Sequence, residues 1–271
     1  MKKRISAVFL TAVLTAALLA GCKQNVGSPE DNAVMDDQEN TEGDTEETEH
    51  VLGFSCSDLS NPFYTVLEEA LKSSLEEEGL RLIVQDARAD VDTQIQQVDE
   101  LIQQNVEAVF LCPAEWEKIT PALEALNDAG IPVINLDTEV KETDLVKAFI
   151  GSDNRNAGYV CGEDLVSRMP EGGRIIIIEN SGINSINERI TGFEEAILDG
   201  GFEVVCRIDA GSVNIGDTLR TLLEEEQINA VMCGNDVMAL QVLEVLEEAA
   251  DKEILVYSVA RSPDTKSALL D

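Results

Sequence analysis

The chain has 271 residues, with 53 Asp and Glu against 19 Lys and Arg, for a formal charge of −34. That balance excludes nucleic acid as a partner, because a phosphate backbone is gripped by basic patches. The only histidine is His50, and there is no phosphate-binding glycine loop, no G-x-G-x-x-G and no C-x-x-C. Histidine-activated nucleophiles, nucleotide motifs and thiol metal or redox motifs are therefore missing, and neither a catalytic set nor a metal or cofactor is implied.

Lys2-Lys3-Arg4 precedes an almost wholly apolar stretch over residues 5–20. Residues 1–21 read as a secretory signal peptide, and the apolar run is short for a membrane-spanning helix, which needs about 20 apolar residues. The run closes on Leu19-Ala20-Gly21-Cys22, which resembles a bacterial lipobox. Its cysteine would carry acyl chains such as palmitate, and two chains suffice for stable anchoring. The competing reading is an ordinary signal peptide with a chance cysteine. Residues 22–50 are polar and strongly acidic, a self-repelling tether rather than a folded segment. These features predict a protein of the cell envelope, held on the extracytoplasmic side of the membrane through Cys22.

Beyond the tether, short Val- and Ile-rich runs at 51–55, 80–85, 108–112, 132–136, 148–151, 174–178, 203–208, 230–233 and 254–258 read as strands. Between them, residues 62–78, 92–104, 119–129, 156–168, 186–198, 215–226 and 237–250 carry apolar residues at helical spacing. In the first helix Val66, Leu67, Ala70, Leu71 and Leu75 form the expected inward stripe. Gly79, Gly130 and Gly200 stand where helices should stop. The alternation predicts an α/β fold with parallel sheets covered on both faces. The run 138–147 and Gly151-Ser152-Asp153-Asn154 break the rhythm halfway, so two lobes are expected, 51–152 and 153–271. Cys56, Cys112, Cys161, Cys206 and Cys233 are odd in number and lie in or beside apolar segments. Cys112 and Cys233 in particular read as inert core thiols.

Open parallel sheets bind ligands beyond the carboxyl ends of their strands. Those ends carry Asp58-Leu59-Ser60-Asn61-Pro62-Phe63-Tyr64, Pro113-Ala114-Glu115-Trp116, Asp137-Thr138, Glu179-Asn180-Ser181-Gly182 and Gly234-Asn235-Asp236, with Asn187-Glu188-Arg189 at a helix start. Asn, Asp and Arg grip adjacent hydroxyls, and an aromatic face covers the C–H surface of a sugar. The bland alternatives remain open. Asn61 before Pro62 also suits a helix cap. Phe63, Tyr64 and Trp116 suit packing, and Arg189 suits a pair with Glu179 or Glu188. Asp153 and Asn154 suit a hinge.

Taken in order, Ser60-Asn61-Pro62-Phe63-Tyr64, Ile131-Pro132-Val133-Ile134-Asn135-Leu136-Asp137, Gly151-Ser152-Asp153-Asn154, Glu188-Arg189-x-x-Gly192-Phe193 and Gly234-Asn235-Asp236-x-Met238-Ala239-Leu240 resemble type I periplasmic binding proteins. The branch they look most like is the ribose-type sugar-binding proteins of ABC importers. The resemblance implies two Rossmann-like lobes with the ligand cleft between them, a sugar or polyol ligand, an ABC permease as partner and a monomer. It maps ligand contacts to Asn61, Phe63, Tyr64, Asp137, Arg189 and Asn235, with Trp116 added from its strand-end position. A sensory receptor of the same fold, feeding a chemoreceptor or sensor kinase, is the alternative. The chain departs from the pattern at Thr138, where arginine is usual, at Cys112, where a polar residue is common, and at Ala260, where an aspartate is expected. It also ends at Asp271, inside a helix after which the resemblance leads one to expect further strands, so the second lobe is expected to be incomplete.

Overall fold

The computed structural model describes residues 49–249, 253–259, 262, 265 and 267. The expectations for the signal peptide, Cys22 and most of the tether, and for Ala260 and the C-terminal end, lie outside the described residues.

Strand and helix alternate from the first described segment. The N-terminal half holds β1 (Val51–Cys56), α1 (Pro62–Glu77), β2 (Arg81–Asp86), α2 (Val91–Gln103), β3 (Val109–Leu111), α3 (Thr120–Asp128), β4 (Val133–Leu136) and β5 (Ala148–Ile150). The second half holds α4 (Asn154–Arg168), β6 (Gly173–Glu179), α5 (Asn184–Ile197), β7 (Phe202–Asp209), α6 (Ile215–Glu225), β8 (Ala230–Cys233), α7 (Asp236–Glu248) and β9 (Leu255–Ser258). The interruption read at 138–147 contains a short 3-10 turn, Thr143–Leu145.

The strands build two parallel sheets, ordered β2-β1-β3-β4-β5 and β7-β6-β8-β9. Parallel neighbours require crossover connections, supplied by the intervening helices except between β4 and β5, where the segment with the 3-10 turn makes the crossing. Covered on both faces, the central strand β6 places four isoleucines, residues 175–178, out of contact with solvent. In each sheet the order reverses once, between β1 and β3 and between β6 and β8. Those reversals open the crevices in which such sheets take ligands.

Helix starts are fixed by side chains read directly from the sequence. Asn61, Asp90, Asp153, Asn214 and Asn235 each accept a backbone N–H in the first turn of the following helix. Asn61 is followed by Pro62, whose missing N–H costs nothing at that position.

Three local expectations change. On α1, Val66 is 64 % exposed and Ala70 is also exposed, so the inward stripe narrows to Leu67, Leu71 and the half-buried Leu75; Leu67 and Leu71, joined by Tyr64, pack in one cluster with Phe54, Leu82 and Val84. α4 begins at Asn154, not 156, and its buried face is Asn154, Gly158, Gly162 and Leu165 rather than an apolar stripe. The reason is proximity: α4 and α5 touch through their backbones. A Cβ on Gly158 would lie 1.8 Å from the Arg189 carbonyl oxygen, and one on Gly192 would lie 1.9 Å from that of Arg155. After α5 it is Gly201, at φ 73°, and not Gly200 that takes the left-handed conformation; Gly79 and Gly130 take it as read.

Candidate functional site

Loops that follow β1, β2, β4 and β5 of one sheet and β6, β8 and β9 of the other face one cleft of about 490 Å³. Its walls include Asn61, Phe63, Tyr64 and Asp137 from the first half and Arg189 and Asn235 from the second. Six of the seven residues picked from the sequence as ligand contacts thus share one cavity.

Asn61 serves two ends at once. Its Oδ1 accepts from Phe63 N at 3.0 Å, capping α1, while the residue lines the cleft. Phe63, 45 % exposed, stands edge-on to Tyr64, with centroids 5.2 Å apart and planes at 73°. Tyr64 is buried and donates its hydroxyl to Asp137 Oδ2 at 3.1 Å. Burial first, and then the Asp137 charge, push the Tyr64 phenol well above its ordinary value, so it stays a donor.

Asp137 is held in an uncommon backbone conformation, φ 63°, with Thr138 N donating to Leu136 O at 2.8 Å across it. A three-residue turn closed over a residue of positive φ is rare and strained, and such strain gathers at functional sites. The strained loop is overdetermined by its surroundings. Asp137 N donates to Ile150 O at 2.9 Å. The buried Asn135 side chain donates to Leu111 O and Thr138 O and accepts from Val140 N. Among the described residues, the hydrogen bonds to the Asp137 carboxylate all fall on Oδ2 and none on Oδ1.

Thr138, where the resemblance leads one to expect arginine, is fully buried. Its hydroxyl lies 2.8 Å from that of Ser185, at the start of α5, and 3.3 Å from Asp137 Oδ2. It therefore joins the two halves instead of adding a charge to the cleft.

Arg189 pairs with neither Glu179 nor Glu188. Its Nε donates to Asn154 Oδ1 and its Nη1 to Gly234 O, both at 2.9 Å. Glu179 is taken by Arg207, and Glu188 lies 3.9 Å from Arg155. Burial lowers the Arg189 pKa, and Asp137, Tyr64 and Asp236 oppose that shift. Asn235 Oδ1 caps α7 by accepting from Met238 N at 3.0 Å, in the same double role as Asn61.

Trp116 is placed elsewhere. Its amide donates to Gly182 O at 3.0 Å, bridging a loop of one half to a loop of the other, and its carbonyl accepts from Lys141 N. The buried Gln94, which bonds Ser55, Cys112 O and Ala114 N, fixes the loop leading to it. Cys112 lies under this floor, its thiol pushed up by burial and then by Asp137. Asn180, Ser185 and Asp236 also line the cleft. Asn180 and Asp236 stand at strand ends in the sequence and were accessible to that rule. Ser185 carries no signal of its own.

Among the described residues no group of three or more His, Cys, Asp or Glu is placed to hold a metal ion, and no helix is long and apolar enough to cross a membrane.

The family model of the periplasmic binding protein domain matches residues 52–271. The ribose import binding protein RbsB of Bacillus subtilis is 30% identical over 227 residues, covering 82% of this chain and 73% of the relative. Solved structures are similar over most of the chain. An ABC transporter solute binding protein from Bacillus halodurans with bound myo-inositol has a TM-score of 0.74 and 27% identity, covering 82% of this chain and 79% of that one. A solute binding protein from Burkholderia multivorans has a TM-score of 0.75 and 26% identity, covering 82% and 84%.

Proposed function

Since the chain belongs to the periplasmic binding protein domain family, we propose that it is a lipid-anchored extracytoplasmic receptor that binds a sugar or sugar-like polyol and delivers it to an ABC importer. One observation carries the reading: a shared cleft with Asp137 on one wall and Arg189 on the other, each holding part of its hydrogen-bonding capacity in reserve.

A polyol hydroxyl both donates and accepts, so it can bridge the Asp137 carboxylate and the Arg189 guanidinium. Phe63 offers an exposed apolar face at the same wall. The lobes, 51–152 and 153–271 in this reading, close around the ligand because only the closed form brings both walls to it. Ligand then shifts the open–closed equilibrium by its differential affinity for the two forms. The permease would recognise the closed form, and the lipid on Cys22 would raise the receptor's effective concentration beside it. The relatives named for ribose and for myo-inositol set the first ligands to try.

The test is a thermal-shift screen of pentoses, hexoses and cyclitols. Ligand at about a hundred times its dissociation constant adds roughly 2.7 kcal/mol, or about 5–11 °C in Tm for a chain of this size. Trp116 is the only tryptophan, and its amide sits at the junction of the halves, so intrinsic fluorescence reads closure directly. A flat response to every polyol, with Asp137→Ala and Arg189→Ala indistinguishable from wild type, refutes the reading. Lipid attachment is tested separately. Cys22→Ala should release the protein from membranes into the medium.

A further inference from the structure

We infer that Asn154 is a positioning residue for Arg189: it sets the direction of the guanidinium and ties it to the segment that crosses between the halves. The inference rests on the reading above only in treating Arg189 as a ligand contact.

The buried face of α4 is built for contact with α5, and its other members, Gly158, Gly162 and Leu165, are there for closeness or packing. Asn154 stands one turn before Gly158 on that same face and is 8 % exposed. A polar side chain so placed needs partners, because burying an amide without hydrogen bonds is costly. It has two. Oδ1 accepts from Arg189 Nε at 2.9 Å, and Nδ2 donates to Ser152 O at 3.2 Å. Ser152 belongs to the segment between β5 and α4, so one amide joins that crossing to the arginine.

The consequence for Arg189 is geometric. A guanidinium is a planar fork of five donors. Fixing Nε to Asn154 and Nη1 to Gly234 O settles its plane and rotation. The donors that remain belong to a side chain lining the cleft. The backbone at Arg189 is set by α4 as well, since its carbonyl oxygen lies against Gly158. Asn154 itself lines an adjoining cavity of about 180 Å³, with Phe149, Asp153 and Glu188, which shares Ser152 and Ser185 with the cleft. The cleft lining holds Arg189 and not Asn154, so Asn154 acts through Arg189.

The experiment reads the free protein first. In ¹⁵N spectra of the wild type, the Arg189 Nε–H resonance, assigned by its loss in Arg189→Lys, should be shifted from exposed arginines and slow to exchange. Asn154→Ala should move it to the exposed position and speed its exchange at least tenfold. Asn154→Asp keeps the acceptor oxygen and should restore the protected signal. Titration with D-ribose and myo-inositol is the second readout. Asn154→Ala should weaken whichever binds by about tenfold, and Asn154→Asp should recover most of the loss. In the Arg189→Lys background, Asn154→Ala should cost little more. An Arg189 signal unchanged in Asn154→Ala overturns the inference and leaves the receptor reading intact. If no polyol binds the wild type, the receptor reading fails, and the spectra alone decide the role of Asn154.

Discussion

Replacing Asp137 by alanine and by glycine gives two variants whose order of stability reports the strain in the ligand loop. Both remove the carboxylate that accepts from Tyr64 and Thr138, so that loss, about 1.5–3 kcal/mol for a hydrogen bond to a charged group, cancels between them. At an ordinary φ, alanine is the more stable of the pair by about 0.4–1 kcal/mol, because glycine has more freedom to lose on folding. Position 137 sits at φ 63°, where a Cβ costs roughly 1–2 kcal/mol. The difference inverts the order: Asp137→Gly should be the more stable by about 0.5–1 kcal/mol, a Tm roughly 1–4 °C higher. Asp137→Asn, which tolerates positive φ and keeps an oxygen for Tyr64, should lie closest to wild type in Tm. All three should bind polyol at least about tenfold more weakly, through loss of the charged acceptor. Thermal and urea unfolding followed by circular dichroism give the order. If Asp137→Ala proves as stable as Asp137→Gly, or more so, the strained turn is not a property of the molecule in solution.

Other perturbations separate neighbouring effects. Gly158→Ala drives a Cβ into the Arg189 carbonyl and should cost about 3 kcal/mol with weakened binding, whereas Gly79→Ala, at φ 73° with nothing within 4 Å, should cost only about 1 kcal/mol; equal losses would contradict the backbone contact of α4 and α5. Thr138→Val, which takes from the buried Ser185 hydroxyl its bond to Thr138, should cost about 1–3 kcal/mol, and Ser185→Ala, which leaves Thr138 its bond to Asp137, should cost less, but the double variant should cost less than the sum; strict additivity in unfolding experiments would speak against the pairing. Burial pushes the Cys56 thiol up to about 12 and raises Cys112 and Cys233 as well, so a disulfide reagent at pH 8 should leave these three unmodified until denaturant is added, and rapid native labelling of all three would refute the packing. Thr93 holds the Asp90 carboxyl below its ordinary value, so its contribution is complete above the unfolded carboxylate range and lost as pH falls through the lowered one. Asp90→Ala should therefore lower Tm at pH 7, with the gap to wild type closing below about pH 4.

Strands, caps and the cleft were legible because each leaves a local mark. Val and Ile runs end in Asp, Asn or Gly, and the rule that ligands sit beyond strand ends then selects Asn61, Asp137 and Asn235 without coordinates. What escaped is what depends on how elements meet. Val66 looks like part of an apolar stripe, yet its outcome depends on how much of α1 the sheet covers. The glycines of α4 read as weak helix formers until the α5 backbone is found against them. Trp116 stands at a strand end like the true cleft residues, but its loop is drawn to Gly182, and no sequence signal separates the two outcomes. The positive φ of Asp137 is hidden for the same reason, since it is held by Ile150 from the neighbouring strand together with the buried Asn135 amide.

The double duty of the caps has a chemical consequence that residue names alone do not reveal. Asn61 and Asn235 each spend one Oδ1 lone pair on a helix N–H, which fixes the amide and leaves its NH₂ group as a donor and the second lone pair as an acceptor. Arg189 has only donors to give. The charged acceptor among the six is Asp137, whose Oδ1 is uncommitted among the described residues. A ligand satisfying this set must meet several donors with oxygen lone pairs and give at least one hydroxyl proton to Asp137. Vicinal hydroxyls do both with the same atoms, which a purely cationic ligand cannot do. By capping α1 and α7, the two asparagines that line the cleft have their side-chain orientation fixed by the same oxygens that stabilise the helices.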